Sequence, residues 1–229
     1  MKTVTMIVVL HATLWAQSQS VTVPLKQPSL GLPVTFSGTL KCSEEINGKG
    51  RKETEQGNVN VVNSSPQDII AIVVSVNTAC FRGPIQPMVD RRDFLFKNPS
   101  LVKGESMDID LAFDGSSSLY GIAMPSVLSA ELIFVQFVDG STWGDKSALD
   151  EFTHQRKEVE ELLNRLAHAP NETTFLSILN EKQNARSPAG STARSIGMMQ
   201  KQVGIPAAVN NVVDRLRIAD ERRKAWIPH

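Results

Sequence analysis

The sequence predicts an antiparallel two-sheet β-sandwich over residues 19–145, followed by a helical C-terminal segment over residues 146–229. Three observations carry that expectation. Up to residue 145, apolar residues alternate with polar ones in short runs, the period of half-buried strands. Beyond residue 146 they recur three and four apart, the period of an amphipathic helix. Ahead of both, Lys2 precedes an apolar run from Val4 to Trp15 and then Ala16, Gln17 and Ser18, the layout of a secretory signal peptide.

The apolar run is shorter than the roughly 20 residues a membrane span needs. Small residues at Ala16 and Ser18 place cleavage after Ser18 or, alternatively, after Ala16, so residues 1–18 read as a signal peptide. No Cys follows the apolar core, which argues against a lipid anchor. The expected address is secreted or periplasmic.

Within the β half, Val34, Phe36, Leu40 and Cys42 share one parity, with Gly38 as a bulge. Ser43 to Gln56 is polar, contains Asn47-Gly48 and Gly50, and reads as a long loop. Asn58–Asn63 is the next strand, turned by Ser64-Ser65-Pro66. The β-branched run Ile69-Ile70-Ala71-Ile72-Val73-Val74 fits a strand buried on both faces at the centre of a sheet. Phe94–Phe96 reads as a short strand, and Met107, Ile109, Leu111 and Phe113 as one with a wet face. Glu131–Val138 closes on Asp139-Gly140, a preferred hairpin pair, with Trp143 starting the return strand.

In the α half, Ser147 and Asp150 resemble a capping box for a helix carrying Leu149, Phe152, Val159, Leu162, Leu163 and Leu166 on one side. Asn171 caps a shorter helix. Arg186 to Thr192 reads as a flexible link, and Met198 to Val203 as a short helix broken at Gly204. Pro206 sits in the first turn of a last helix ending near Trp226.

The 229 residues are 41% hydrophobic and 21% charged, the composition of a folded chain. The charges balance at 24 basic and 24 acidic, so no concentrated Lys/Arg field suggests nucleic acid. No second apolar run approaches spanning length, so the processed chain is not expected to cross a membrane. Cys42 and Cys80 are the two cysteines. In an oxidising compartment an even pair is read first as a disulfide, and two buried free thiols are the alternative.

No residue is singled out as catalytic, cofactor-binding or metal-ligating. His154, Glu158, Glu161, Arg165 and His168 form one helical stripe, but it lies opposite the apolar stripe and reads as a solvated face. Asp108 and Asp110 share a strand face and suit edge-strand charges; the loop after Asp114 lacks the ligand pattern of an EF-hand. The Ser117 cluster has no His nearby, and no G-x-S-x-G or phosphate loop occurs. Trp143 is the candidate partner surface, with packing over the core edge as the plainer reading. Sequons stand at Asn63 and Asn171.

Asn63-Ser64-Ser65-Pro66 running into Ile69–Val74, Lys103-Gly104-Glu105-Ser106 before an alternating strand, and the hairpin Asp139 to Asp145 together resemble secreted bacterial proteins with an immunoglobulin-like β-sandwich domain. The likeness covers residues 32–145 and lacks the Cys-Trp-Cys spacing of antibody-type domains. It implies a fold and a compartment and no activity. The function expected is a non-enzymatic binding or structural module of the cell envelope, without a cofactor, engaging a protein or envelope partner. The alternative is a hydrolase or calcium-dependent glycan-active protein, which needs Asp139, Asp145, Asp114 and His154 in one pocket.

Overall fold

The computed structural model describes residues 17–26, 31–47, 50–80, 85–97, 99–117 and 126–226. Most of the expected signal segment lies outside them. Eight strands precede four helices: β1 (Gln17–Pro24), β2 (Val34–Asn47), β3 (Gly50–Asn63), β4 (Ile69–Ala79), β5 (Gln86–Asp93), β6 (Ser106–Ser117), β7 (Val127–Phe137), β8 (Thr142–Gly144), then α1 (Ser147–Ala167), α2 (Glu172–Lys182), α3 (Pro188–Val203) and α4 (Ile205–Lys224).

The strands form two antiparallel four-stranded sheets, in the orders β1-β2-β3-β6 and β5-β4-β7-β8. Val34, Phe36, Leu40, Val59, Val61, Met107, Ile109 and Leu111 of the first sheet share one core with Ile72, Val74, Val76, Leu128, Ala130 and Leu132 of the second. The helices cover the other face of the second sheet. Ile70 of β4 joins Leu95, Phe96 and the helical core, while Ala71, Val73 and Phe134 pack against Ala148 and Phe152 of α1.

That double burial explains the unbroken apolar run of β4. Its pairing with β7 shifts between Ile69 and Ala71, so Ile70 is an extra residue. Ile69 then faces the inter-sheet core while Ile70 and Ala71 both face the helices. A second shift between Val73 and Val74 does the same on β7, turning Ile133 and Phe134 outward together.

Several expectations are corrected. Ser43–Gln56 is no loop: β2 and β3 pair continuously from Val34↔Asn63 to Asn47↔Gly50. Its polar residues hide the period-two signal, but cross-strand pairs such as Glu45↔Lys52 suit a hairpin extended beyond the core. The register at Gly38 is unbroken, so it is no bulge. A Cβ there would collide with the Asn58 carbonyl of β3, and one at Gly57 with the Thr39 carbonyl of β2, so the strands approach too closely for side chains.

Phe94–Phe96 is a turn, and the strand is the preceding β5, whose Pro87 is tolerated on a sheet edge. The cap of α1 is not Ser147: Asp145 accepts from the Ser147 amide at 2.9 Å and from its hydroxyl at 2.8 Å. Arg186–Thr192 is no flexible link, because Ser187 caps α3 through the Gly190 amide and Pro188 opens the helix. Asn171 caps α2 through the Thr174 amide as expected. Gly204, at φ 89°, separates α3 from α4 and Pro206 lies in the first turn of α4.

Candidate functional site

Cys42 and Cys80 form a disulfide with Cα atoms 5.6 Å apart. Both are buried, one on β2 and one directly after β4, so the bond ties the two sheets across their shared core. Trp143 lies on the edge strand β8 opposite Val135, 37% exposed.

The carboxylates of the enzymatic alternative are occupied locally. Asp139 accepts from the Ser141 amide and hydroxyl and from Gln67, and the Ser141 hydroxyl chiefly holds its pKa below the ordinary value. Asp145 is held low by the Ser147 amide and hydroxyl. His154 stands on the exposed face of α1, 3.5 Å from Glu158. The Asp114 side chain lies outside the described residues. Among the described residues, no three of His, Cys, Asp and Glu gather as a metal-binding group. Asp108 is on β6, an edge strand, and accepts from Asn60 while its carbonyl accepts from Arg92 of β5.

The sequon at Asn63 is structural. Its buried side chain donates to the carbonyls of Gln67 and Leu101 at 2.8 and 2.9 Å and accepts from the Ser65 amide and hydroxyl. It therefore ties the β3–β4 turn to the segment before β6.

The polar centre that sequence reading missed is Arg156. It occupies the middle of the apolar stripe of α1, between Phe152 and Val159, and is buried. Its Nε and Nη2 donate to the two carboxylate oxygens of Asp93, at 2.8 and 2.9 Å, and its Nη1 to Gln136 Oε1 at 2.7 Å. The guanidinium also lies 5.5 Å from the Phe152 ring centroid and 6.0 Å from that of Trp226. One side chain thus joins β5, β7, α1 and the end of α4. A charged residue in phase with an apolar helical stripe was the available signal.

Two more arginines fasten α4. Arg222 donates to the carbonyls of Phe94, Leu95 and Lys97, fixing the turn after β5. Arg223 makes a bidentate pair with Glu160 of α1, at 2.8 and 2.7 Å. Trp226 donates its indole N–H to the Val138 carbonyl and packs where a Cβ on Gly140 would stand.

These attachments enclose a cleft of about 290 Å³ between β5, the turn after it, and α1, α3 and α4. Phe96, Phe152 and Val159 supply buried apolar walls. Ser191, Thr192 and Ser195 present hydroxyl-bearing side chains from α3, and Arg91, Lys97 and Arg215 line it with positive charge. Arg91 faces Glu151 at 3.4 Å. Arg215 donates from Nε to Asn211 Oδ1 at 2.8 Å and from Nη2 to Ser195 Oγ at 3.3 Å, both neutral acceptors. Burial pulls its pKa below the ordinary arginine value.

Comparisons with protein-family models, with curated proteins and with solved structures return no match.

Proposed function

We propose that the chain is exported and works as a non-enzymatic binding or structural module of the cell envelope, built on an immunoglobulin-like sandwich with its helices docked to one face. The observation that carries this proposal is the Cys42–Cys80 disulfide, buried between two sheets. Bridges of this kind form and persist in oxidising compartments. Lys2, the apolar run Val4–Trp15 and the small residues that follow support the same address. No helix among the described residues is long and apolar enough to cross a membrane.

The order β5-β4-β7-β8 parallels the C′-C-F-G sheet of variable-type immunoglobulin domains. The first sheet departs from that pattern through the β2–β3 hairpin, and the disulfide joins β2 to the end of β4 instead of bridging strands B and F. A binding role is supported by Met198, Val203 and Val213, which expose half or more of their surface on α3 and α4.

Fractionating the native host and capturing partners with the processed chain tests this proposal. Recovery of the chain outside the cytoplasm together with a saturable envelope partner is the expected result. A chain retained whole in the cytoplasm, or an exported one that captures nothing, overturns it.

A further inference from the structure

We infer that the cleft between β5 and helices α1, α3 and α4 is a binding site for a small ligand carrying an oxyanion, a carboxylate or a phosphate, with Arg215 as its principal anchor. The site gives the binding module proposed above its ligand, and rests on that proposal only for the claim that the chain works by binding.

The starting point is a charge without a counter-charge. Other arginines that fasten this helical layer are satisfied within the fold: Arg156 by Asp93, Arg223 by Glu160, Arg165 by Glu181, and Arg222 and Arg194 by backbone carbonyls. Arg215 is partly buried, and among the described residues it reaches only Asn211 and Ser195, two neutral groups. Withdrawing a cation from water without an anion is costly, and a ligand carboxylate or phosphate repays that cost through charge-assisted bonds. A guanidinium has five N–H donors, and Nη1 of Arg215 has no acceptor among the described residues.

The rest of the lining agrees with an anion. Lys97 adds a second cation with no carboxylate partner among the described residues. Its backbone is held by Arg222, so the charge is presented from a fixed turn. Among the described residues, Asp93 is the one carboxylate lining the cleft, and Arg156 already neutralises it with two hydrogen bonds. In the adjoining groove, Asp214 pairs with Arg217 at 3.4 Å. Ser191 and Ser195 lie one turn apart on α3 and supply neutral donors beside the guanidinium. Phe96, Phe152 and Val159 offer the ligand's body an apolar surface, and a volume of about 290 Å³ restricts it to a small molecule.

Calorimetric titration of the processed chain with inorganic phosphate and, separately, with succinate tests this site, with sodium chloride at matched ionic strength and neutral glucose as controls. At least one oxyanion is expected to bind one-to-one with a dissociation constant on the order of 1 mM or tighter. In ¹⁵N spectra the amides of residues 191–195 and the Arg215 Nε–H resonance should shift along the same isotherm. Arg215→Gln should weaken binding at least about tenfold and Lys97→Gln about three- to tenfold. Lys157→Gln, exposed elsewhere on α1, should leave it unchanged.

Saturation by phosphate alone assigns a phosphoryl ligand, and saturation by succinate alone a carboxylate. If Arg215→Gln does not fold, the exposed Lys97→Gln still decides. Neither oxyanion saturating, or both variants binding like the wild type, overturns the site. An exported chain that captures an envelope partner yet binds neither probe refutes this site and not its export; a cytoplasmic chain that binds phosphate does the reverse.

Discussion

Replacing Arg156 with methionine removes the guanidinium that joins sheet to helices while keeping most of the side chain's apolar stem. Three losses follow. Asp93 becomes a carboxylate without its cation; its side chain is 23% exposed, which relieves part of the charge and places the cost near the lower end of the roughly 3–5 kcal/mol expected for breaking a buried pair. Gln136, 3% exposed, loses the donor to its carbonyl oxygen, worth about 1–3 kcal/mol when nothing replaces it. The contacts with the Phe152 and Trp226 rings are worth about 0.5–1 kcal/mol each. Methionine no longer carries the cost of burying a charge, so the sum overstates the effect, and the net loss should be about 3–4 kcal/mol. At roughly 2–4 °C per kcal/mol for a chain of this size, Tm should fall by about 6–16 °C. Urea unfolding followed by far-UV circular dichroism and tryptophan fluorescence measures it. Adding Asp93→Asn, which removes the stranded charge and keeps an acceptor for the Leu95 amide, should recover part of the loss. A loss below about 1 kcal/mol for Arg156→Met, or strict additivity in the cycle, refutes the clamp.

Reducing the Cys42–Cys80 bond, which closes 38 residues of chain, should lower stability by roughly 3–4 kcal/mol in urea titrations with and without reductant; coincident curves would contradict it. Asn63→Ala strips four hydrogen bonds made by a fully buried side chain and should cost about 2–4 kcal/mol by the same measurement, whereas a loss under 1 kcal/mol would show these bonds to be dispensable. In a glycosylating host the folded chain should carry a glycan on exposed Asn171 and none on Asn63, whose buried amide nitrogen is spent on two carbonyls, as read by mass spectrometry; a folded chain glycosylated at Asn63 would contradict that placement. Glu55 is buried on β3, and burial is the main cause raising its pKa above 4.5, with Glu53 adding to it and a hydrogen bond from Thr78 opposing it. The folded chain then holds this proton more tightly than the unfolded one, so stability falls as pH rises through the window above 4.5. Glu55→Gln should flatten that decline and raise the unfolding midpoint at pH 7; a steeper decline would invert the sign.

The parts of the fold legible in the sequence were those where one face is apolar and the other polar. Met107–Leu111 on β6 and the Phe152–Leu166 stripe of α1 show their periods directly. The run at Ile69–Val74 announced a doubly buried strand, but the bulge at Ile70, which lets two neighbours face the helices, leaves no mark in composition. The outer β2–β3 hairpin was illegible because it extends past the core and carries polar residues on both faces. β5 was hidden by Pro87 and by Asp90, Arg91, Arg92 and Asp93, charges that suit an edge strand and its helix contacts. The cap of α1 was read two residues away because Asp145 and Ser147 compete for the role, whereas Asn171 was read in its place at the start of α2. Of the candidate site, the disulfide pair was readable from two cysteines and an N-terminal segment with the layout of a signal peptide. The cleft was not, since its lining comes from Arg91, Lys97, Phe152, Ser195 and Arg215, which only tertiary docking brings together.

Export into an oxidising compartment is tested most directly by N-terminal sequencing and thiol titration of the protein recovered from its native host. Export predicts a chain outside the cytoplasm that begins at Gln17 or Gln19 and shows no titratable thiol when denatured without reductant. A cytoplasmic chain still beginning at Met1, with two reactive thiols, would contradict it.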